Sequence, residues 1–334
     1  MIAQLTGMDG ANASHYDGAT SLAEAVIVGL EASRHARKKI VLSYGIHPHY
    51  RAVVRTYHQW AGLDIVGDDA DHSAEDFANL IDEDTAMVAV ATPDYFGRMA
   101  DFRELAKRVH AAGALLVIVT NPMALALFKS PGEMGADIVV GEGQPLGIPL
   151  SYGGPYVGFF ATKMGLMRRI SGRIVGETLD KNGVKAYVMT LRPREQDIRR
   201  ERATSNICTN QGLMALAATV YLSLMGKNGM KRAAELCYHK AHYAAAQIDH
   251  LNSYTVDQSQ PFFHEFVIQC PVPVAQINAA LYEAGIIGGI DLGVDYPALK
   301  NHMLLCVTEM NSKDEIDTLV SILNEVSEKA GVTA

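Results

Sequence analysis

The stretch Ala86–Val119, AMVAVATPDYFGRMADFRELAKRVHAAGALLVIV, decides the fold. Ala86–Ala91 is an unbroken apolar run, and Ala114–Val119 is a second. Between them Phe102–Ala112 reads as a helix stopped by Gly113, the residue that most easily takes the left-handed turn past a helix end. Strands that are apolar at every position are buried on both faces, which is the signature of parallel strands covered by helices on either side. The same rhythm extends outward. Ala19–Ser33 is an Ala/Leu/Glu-rich helix and Ile40–Tyr44 a buried strand. Pro48–Ala61 is a helix whose proline sits where the missing N–H costs nothing. Leu63–Val66 is a short strand, and Ser73 caps a helix reaching Ile81. Asp137–Val140 and Tyr156–Ala161 complete the series of strands, with a short helix near Leu125 before them. Met164–Arg202 is richer in Arg, Gly and polar residues, with a hairpin expected around Asp180–Gly183. Gln211–Leu224 and Met230–Leu251 read as helices. Phe262–Gln269, Gln276–Ala284, Met303–Val307 and Lys313–Lys329 then give strand, helix, strand, helix. The expected architecture is α/β, with a large mostly parallel sheet domain over 1–225 and a smaller α+β domain over 226–334.

Composition narrows the function. Of 334 residues, 49% are hydrophobic and 20% charged, so the chain buries a large core and is not disordered in the main. A net charge of −8 makes the chain a poor candidate for non-specific nucleic-acid binding, which needs clustered cations. No uncharged apolar run reaches the roughly 18–20 residues of a membrane helix. The start MIAQLTGMDG has neither the basic nor the apolar region of a signal peptide. Cys208, Cys237, Cys270 and Cys306 are far apart and form no CxxC, which speaks against zinc and thioredoxin-like readings and suits reduced thiols in the cytoplasm.

Several constellations remain. Gly141-Glu-Gly-Gln-Pro-Leu-Gly147 spaces its glycines as GxGxxxG, and Pro145, Pro149 and Pro155 prevent the helix that a dinucleotide site requires. Tyr16-Asp17-Gly18-Ala19-Thr20 precedes a helix and reads either as an anion pocket or as an ordinary cap. Ala91-Thr-Pro-Asp-Tyr-Phe-Gly97 follows a strand, where loops face the site of an open α/β sheet; Tyr95 and Phe96 equally suit plain packing. Arg199-Arg-Glu-Arg-Ala-Thr-Ser-Asn-Ile-Cys208 sets four polar or thiol side chains after three arginines able to clamp a carboxylate or phosphate, or simply to face solvent. Cys208 near a helix start is read as a structural thiol. His47 and His49 flank Pro48, but no third metal ligand at matching spacing accompanies them, so no metal site is expected. His15 lies close in sequence to the Tyr16–Thr20 loop. Met164–Met167 and Met214–Met225 are read as core or interface methionines.

The order of motifs resembles a known family. Leu5-Thr6-Gly7-Met8, Asn12-Ala13-Ser14, Tyr16–Thr20, Tyr152-Gly153-Gly154-Pro155, Arg173-Ile174-Val175-Gly176, Arg194–Arg200 and above all Ala203-Thr204-Ser205-Asn206-Ile207-Cys208-Thr209 are similar to glycine dehydrogenase (decarboxylating), the P protein of the glycine cleavage system. The likeness covers essentially the whole chain and points to the alpha-subunit branch of the split bacterial enzyme. It implies the type I pyridoxal-phosphate (PLP-dependent transferase) fold and a cytoplasmic heterotetramer with a beta subunit. It also implies a reaction in which glycine loses carbon dioxide and its aminomethyl group passes to the lipoyl arm of H protein. The family's pattern places the cofactor's Schiff-base lysine within Asp137–Pro155. That segment has no lysine, and Gln144 stands at the corresponding position. The aspartate that normally follows the preceding strand is also missing, because Thr120-Asn121-Pro122 stands there. The resemblance therefore implies pyridoxal 5'-phosphate held by the beta subunit, with none bound covalently here. Tyr16, Thr20, Arg199, Arg202, Thr204, Ser205 and Asn206 become candidates for interface or substrate-path residues. Family members also carry a segment ahead of the Leu-Thr-Gly motif, including a Tyr/Gln/Pro-rich motif near the active site, so the chain reads as shortened at its start. The alternatives are an independent enzyme of the same fold, such as an aminotransferase or desulfurase, and a purely structural scaffold.

Overall fold

In the computed structural model, residues 1–191, 196–205, 207 and 210–331 are described. They fall into two compact units, Met1–Asp94 with Asp101–Lys227, and Tyr95–Ala100 with Asn228–Ala334.

The first unit begins with α1 (Ile2–Thr6) and the two-residue β1 (Gly10–Ala11), then α2 (Gly18–Ala32), β2 (Lys39–Leu42), α3 (Pro48–His58), β3 (Asp64–Val66), α4 (Ala74–Asn79), β4 (Thr85–Ala91), α5 (Arg103–Ala111) and β5 (Leu115–Val119). It continues through β6 (Ile138–Glu142), β7 (Gly158–Thr162), β8 (Ile174–Leu179), β9 (Lys185–Thr190) and the single turn α6 (Gln196–Arg199). The sheet runs β1-β7-β6-β5-β4-β2-β3. Strands β3, β2, β4, β5 and β6 are mutually parallel. β7 is antiparallel to β6, and β1 is antiparallel to β7.

Alternation along these strands explains why both faces are apolar. Ile40, Leu42, Met87, Ala89, Val117, Ile138, Val140 and Phe160 pack with Leu22 and Val26 of α2 and Val54 of α3. Val41, Val88, Val90, Leu116, Ile118, Val139 and Ala161 pack on the other side with Phe77 of α4 and with Ala106 and Val109 of α5. Ser73 caps α4 through a bond from Asp76 N, and Gly113 follows α5 at φ 73°, both as the sequence suggests. β8 and β9 form the expected hairpin as a separate two-stranded sheet.

The expected pair of helices over 211–251 is present within Gly212–Asp249 (α7), the two parted by the non-helical Gly226 (φ 56°, ψ −173°). The unit boundary falls one residue beyond that break. The second unit contains β10 (Thr255–Val256), β11 (Glu265–Gln269), α8 (Val274–Glu283), β12 (Ile290–Asp291), β13 (His302–Cys306) and α9 (Lys313–Lys329). Its antiparallel sheet runs β10-β11-β13-β12. Phe266, Ile268, Met303 and Leu305 pack with Ile277 and Leu281 of α8 and with Ile316, Leu319 and Leu323 of α9. The segment Tyr95–Ala100 belongs here, which the sequence did not indicate. Met99 N donates to Pro261 O at 2.7 Å, and Arg98 bridges Phe262.

Candidate functional site

The parallel strands β2, β4, β5 and β6 all end on one edge of the large sheet, where open α/β folds place their ligands. The polar side chains just beyond those ends are held by the backbone. Thr120 Oγ1 donates to Thr92 O at 2.7 Å, and Asn121 Oδ1 accepts from Met123 N at 3.0 Å. The Gln144 amide donates to Ile148 O at 2.6 Å. Consistent with its proline content, the segment after β6 opens no helix; it turns through Leu146 N to Gly143 O and Ile148 N to Gln144 O.

The N-terminus of α2 meets this edge. Asp17 and Thr20 form a capping box: Thr20 N donates to Asp17 Oδ1 at 2.7 Å, and Asp17 N donates to Thr20 Oγ1 at 3.1 Å. Glu142, the last residue of β6, reaches the same helix end and accepts from Gly18 N at 3.1 Å. Its other oxygen accepts from Gln144 N and Val157 N, each at 3.1 Å. Tyr50 of α3 closes the space. A Cβ on Gly18 would lie 2.2 Å from the Tyr50 hydroxyl, so only glycine fits there. Burial raises the Tyr50 hydroxyl pKa far above its usual range, with Glu142 and Asp17 adding to the effect. Burial likewise pushes Glu142 up to about 7; the three backbone donors oppose this and Asp17 adds to it. The ready-made anion site of the helix start is thus filled by two carboxylates of the chain itself.

An aldehyde cofactor carrying a phosphate needs an amine for its imine, a carboxylate on its ring nitrogen and an open anion site. Gln144 is an amide. The bracketing lysines are engaged elsewhere, Lys163 with Asp137 at 2.9 Å and Lys129 with Asp101 at 3.5 Å. β5 is followed by Thr120 and Asn121 rather than an acid, and Glu142 takes the helix amide. These residues do not fit a covalently held pyridoxal phosphate.

The sequence candidates separate into two sets. Thr20 is spent on the capping box and Tyr16 sits half-buried just ahead of it. Ser205 is buried and donates to Glu24 Oε1 at 2.8 Å. Arg199, Arg202 and Thr204 line a cleft of about 310 Å³ with His35, Arg168 and Arg169, and Thr204 donates to Glu31 Oε1 at 3.2 Å. Asn206 and Cys208 lie outside the described residues. His47 Nδ1 accepts from His49 N at 3.1 Å, and its ring stacks on Tyr50. Tyr95 and Phe96 pack on Tyr296, with ring centroids 5.9 and 5.1 Å away.

Two residues escaped the sequence reading. Glu24 is fully buried on α2 and gathers Ser205 and, at 2.7 Å, Ser171. Because Ser171 gives its one proton to Glu24, it must accept from Nε2 of buried His15, 3.2 Å away. Glu142 is the other. The available signal was a carboxylate inside an apolar pattern: Glu24 within ATSLAEAVIVGL, and Glu142 after Ile138-Val-Val-Gly.

Comparison with known proteins gives the family and the fold. The model of the glycine cleavage system P-protein family matches residues 1–323. A Thermomicrobium roseum protein named probable glycine dehydrogenase (decarboxylating) subunit 1 is 50% identical over 331 residues, which are 98% of this chain and 74% of that one. A crystal structure of glycine decarboxylase (P-protein) of the glycine cleavage system, in inhibitor-bound form, superposes with a TM-score of 0.91 at 37% identity, covering 98% of this chain and 74% of that one. A sphingosine-1-phosphate lyase from Burkholderia pseudomallei shares the fold alone, with a TM-score of 0.69 at 16% identity and the same coverage. The architecture is therefore the type I pyridoxal-phosphate-dependent fold, and the chain belongs to the glycine cleavage system P-protein family.

Proposed function

We propose that this chain is the alpha subunit, without the Schiff-base lysine, of a two-subunit glycine decarboxylase. In the complex glycine loses its carboxylate as carbon dioxide, and the aminomethyl group passes to the lipoyl arm of H protein. The beta subunit carries the pyridoxal phosphate. The single observation that supports this division is the closed cofactor edge: an amide at Gln144, and Glu142 seated on the α2 amide that a phosphate would use. Half-identity to proteins named subunit 1 supports the same reading.

The arginine cleft is the part of this chain we assign to the partner or to the substrate path. Arg199 and Arg202 are exposed, and guanidinium groups in such a cluster suit a carboxylate on a partner or on glycine. Ser205, next to Thr204 in the chain, is tied to α2 through Glu24, and we keep Tyr16, Thr20 and Asn206 as further candidates. The division 1–225 and 226–334 is retained as our proposal for the folding domains. Among the described residues no helix is long and apolar enough to cross a membrane, and a cytoplasmic heterotetramer is the assembly we propose.

Reconstitution tests the reading. Glycine-dependent carbon dioxide exchange should require this chain, the beta subunit, H protein and the cofactor together. Borohydride reduction of the assembled complex should fix the cofactor on the beta subunit and leave this chain unmodified. A reduced adduct on this chain would overturn the assignment. Arg202→Ala should lower exchange by roughly tenfold or more, as expected for a charge-assisted contact worth about 1.5–3 kcal/mol. Unchanged exchange with intact assembly would remove the arginine cleft from the mechanism and favour a scaffold.

A further inference from the structure

The second unit holds a donor cluster that the glycine reaction does not use. Glu265 opens β11, His264 stands immediately before it, and Cys306 ends β13. The antiparallel register sets Glu265 directly opposite Cys306. One ligand atom from each of the three residues lies within 4.8 Å of the other two. The His264 residue is 7% exposed, and its Nδ1 is shut off from water with no hydrogen-bond partner. Buried side-chain nitrogens are nearly always satisfied, and one left bare costs about 1–3 kcal/mol. An imidazole, a thiol and a carboxylate brought this close offer nitrogen, sulfur and oxygen donors together.

We propose that His264, Glu265 and Cys306 form a divalent metal site of the zinc type. Nitrogen, thiolate sulfur and carboxylate oxygen are the zinc donors, and three protein ligands leave a fourth position for water. In a tetrahedron with bonds of about 2.0–2.3 Å, the ligand atoms stand roughly 3.3–3.8 Å apart. Side-chain rotation of about an ångström draws the present cluster to that size. The charges also match: a thiolate and a carboxylate beside neutral imidazole offset the two positive charges of the ion.

Binding displaces a proton from the Cys306 thiol: the S–H bond breaks, the S–metal bond forms, and the proton leaves to solvent, with no oxidant or reductant needed. Cys237 and Glu309 form an outer layer, with Cys237 Sγ donating to Glu309 Oε2 at 3.1 Å. Lys240 fixes the backbone there by donating to Glu309 O at 2.6 Å. Glu265 and Cys306 also line a cleft of about 540 Å³ beside the loop Gly285–Ile290, which gives an ion a way in. The sequence hid this site because its ligands meet through strand register, not through a spaced motif.

The test uses the full chain with its thiols reduced. Zinc is added, excess is removed by gel filtration, and bound metal is counted by mass spectrometry. One zinc per chain is expected, and cobalt in its place should show thiolate-to-metal charge transfer in the near ultraviolet. Cys306→Ser and Glu265→Gln should each weaken zinc binding by roughly a hundredfold or more, since even groups that only orient a ligand contribute 10–100-fold. Cys270→Ser, whose thiol lies outside the cluster, should bind as the parent does. Melting temperature measured without metal confirms that each variant is folded, and the second substitution stands if the first is not. Absence of stoichiometric zinc on the parent chain, or unchanged binding in folded variants at both positions, would overturn the site.

Discussion

Glu24→Ala should lower the unfolding free energy of the chain by about 3 kcal/mol, the sum of two charge-assisted hydrogen bonds at about 1.5–3 kcal/mol each, less what the buried charge costs. Glu24 is fully buried, and it accepts from Ser171 at 2.7 Å and from Ser205 at 2.8 Å. Removing the carboxylate strands both hydroxyls and cuts the link through Ser171 to His15. Alanine is the better helix former, but that gain is at most about 0.5 kcal/mol against glutamate and does not reverse the sign. Glu24→Gln keeps the volume and one acceptor, so about 1 kcal/mol is expected there.

The measurement is urea unfolding of the purified chain. The same variant carries a second signature. Ser205 is bound to α2 through Glu24, and Arg199, Arg200 and Arg202 just before it are exposed. Trypsin should therefore cut this segment faster in Glu24→Ala than in the parent. A loss below about 1 kcal/mol with unchanged cleavage would mean that the Ala203–Ile207 motif is anchored by something other than Glu24, because loss of one such bond alone costs more than that.

That network also marks what the sequence made readable. The fold was legible because burial has a period: β4 is apolar at every position and its residues divide cleanly between the two faces of the sheet. The antiparallel turn of β7 and the two-residue β1 were not, since an apolar run carries no direction. At the candidate site, the absence of lysine from Asp137–Pro155 was legible from residue identity, and its meaning came only from the resemblance. Whether Thr20 faces a ligand or closes a cap was not, because both readings want a hydroxyl at the same place. Glu24 and Glu142 were hidden for a different reason. Ser205 lies 181 positions from Glu24, and Gly18 lies 124 from Glu142, so nothing local to either acid names its partner.

Glu142 makes the stability of the chain fall as pH rises from about 4.5 to about 7, and the direction follows from its surroundings. Burial holds its folded pKa near 7 against an ordinary value of 4.5, despite three backbone donors that favour the charged form. A carboxyl that is harder to ionise in the folded state binds its proton more tightly there. Its contribution is complete below 4.5, drains away through the window up to about 7, and is gone above it. The whole change is at most about 3 kcal/mol, because each tenfold gain in proton affinity is worth about 1.36 kcal/mol. Other groups titrate in the same range with the opposite sign: His58 and His242 are held neutral by burial and favour higher pH. Comparing the parent with Glu142→Gln cancels them. The amide cannot ionise, but it serves the three backbone donors less well, at a cost of about 1–3 kcal/mol for an unpaired buried N–H. At pH 5 the variant should therefore be the less stable by about 2 kcal/mol, on that same desolvation cost. By pH 8 the gap should close or reverse, since the parent has lost its proton and the variant has nothing to lose. Parallel stability curves for the two proteins between pH 5 and 8 would show that Glu142 is already ionised at the helix end throughout. The closure of the cofactor edge would then rest on a permanent charge rather than on a carboxyl that holds its proton near pH 7.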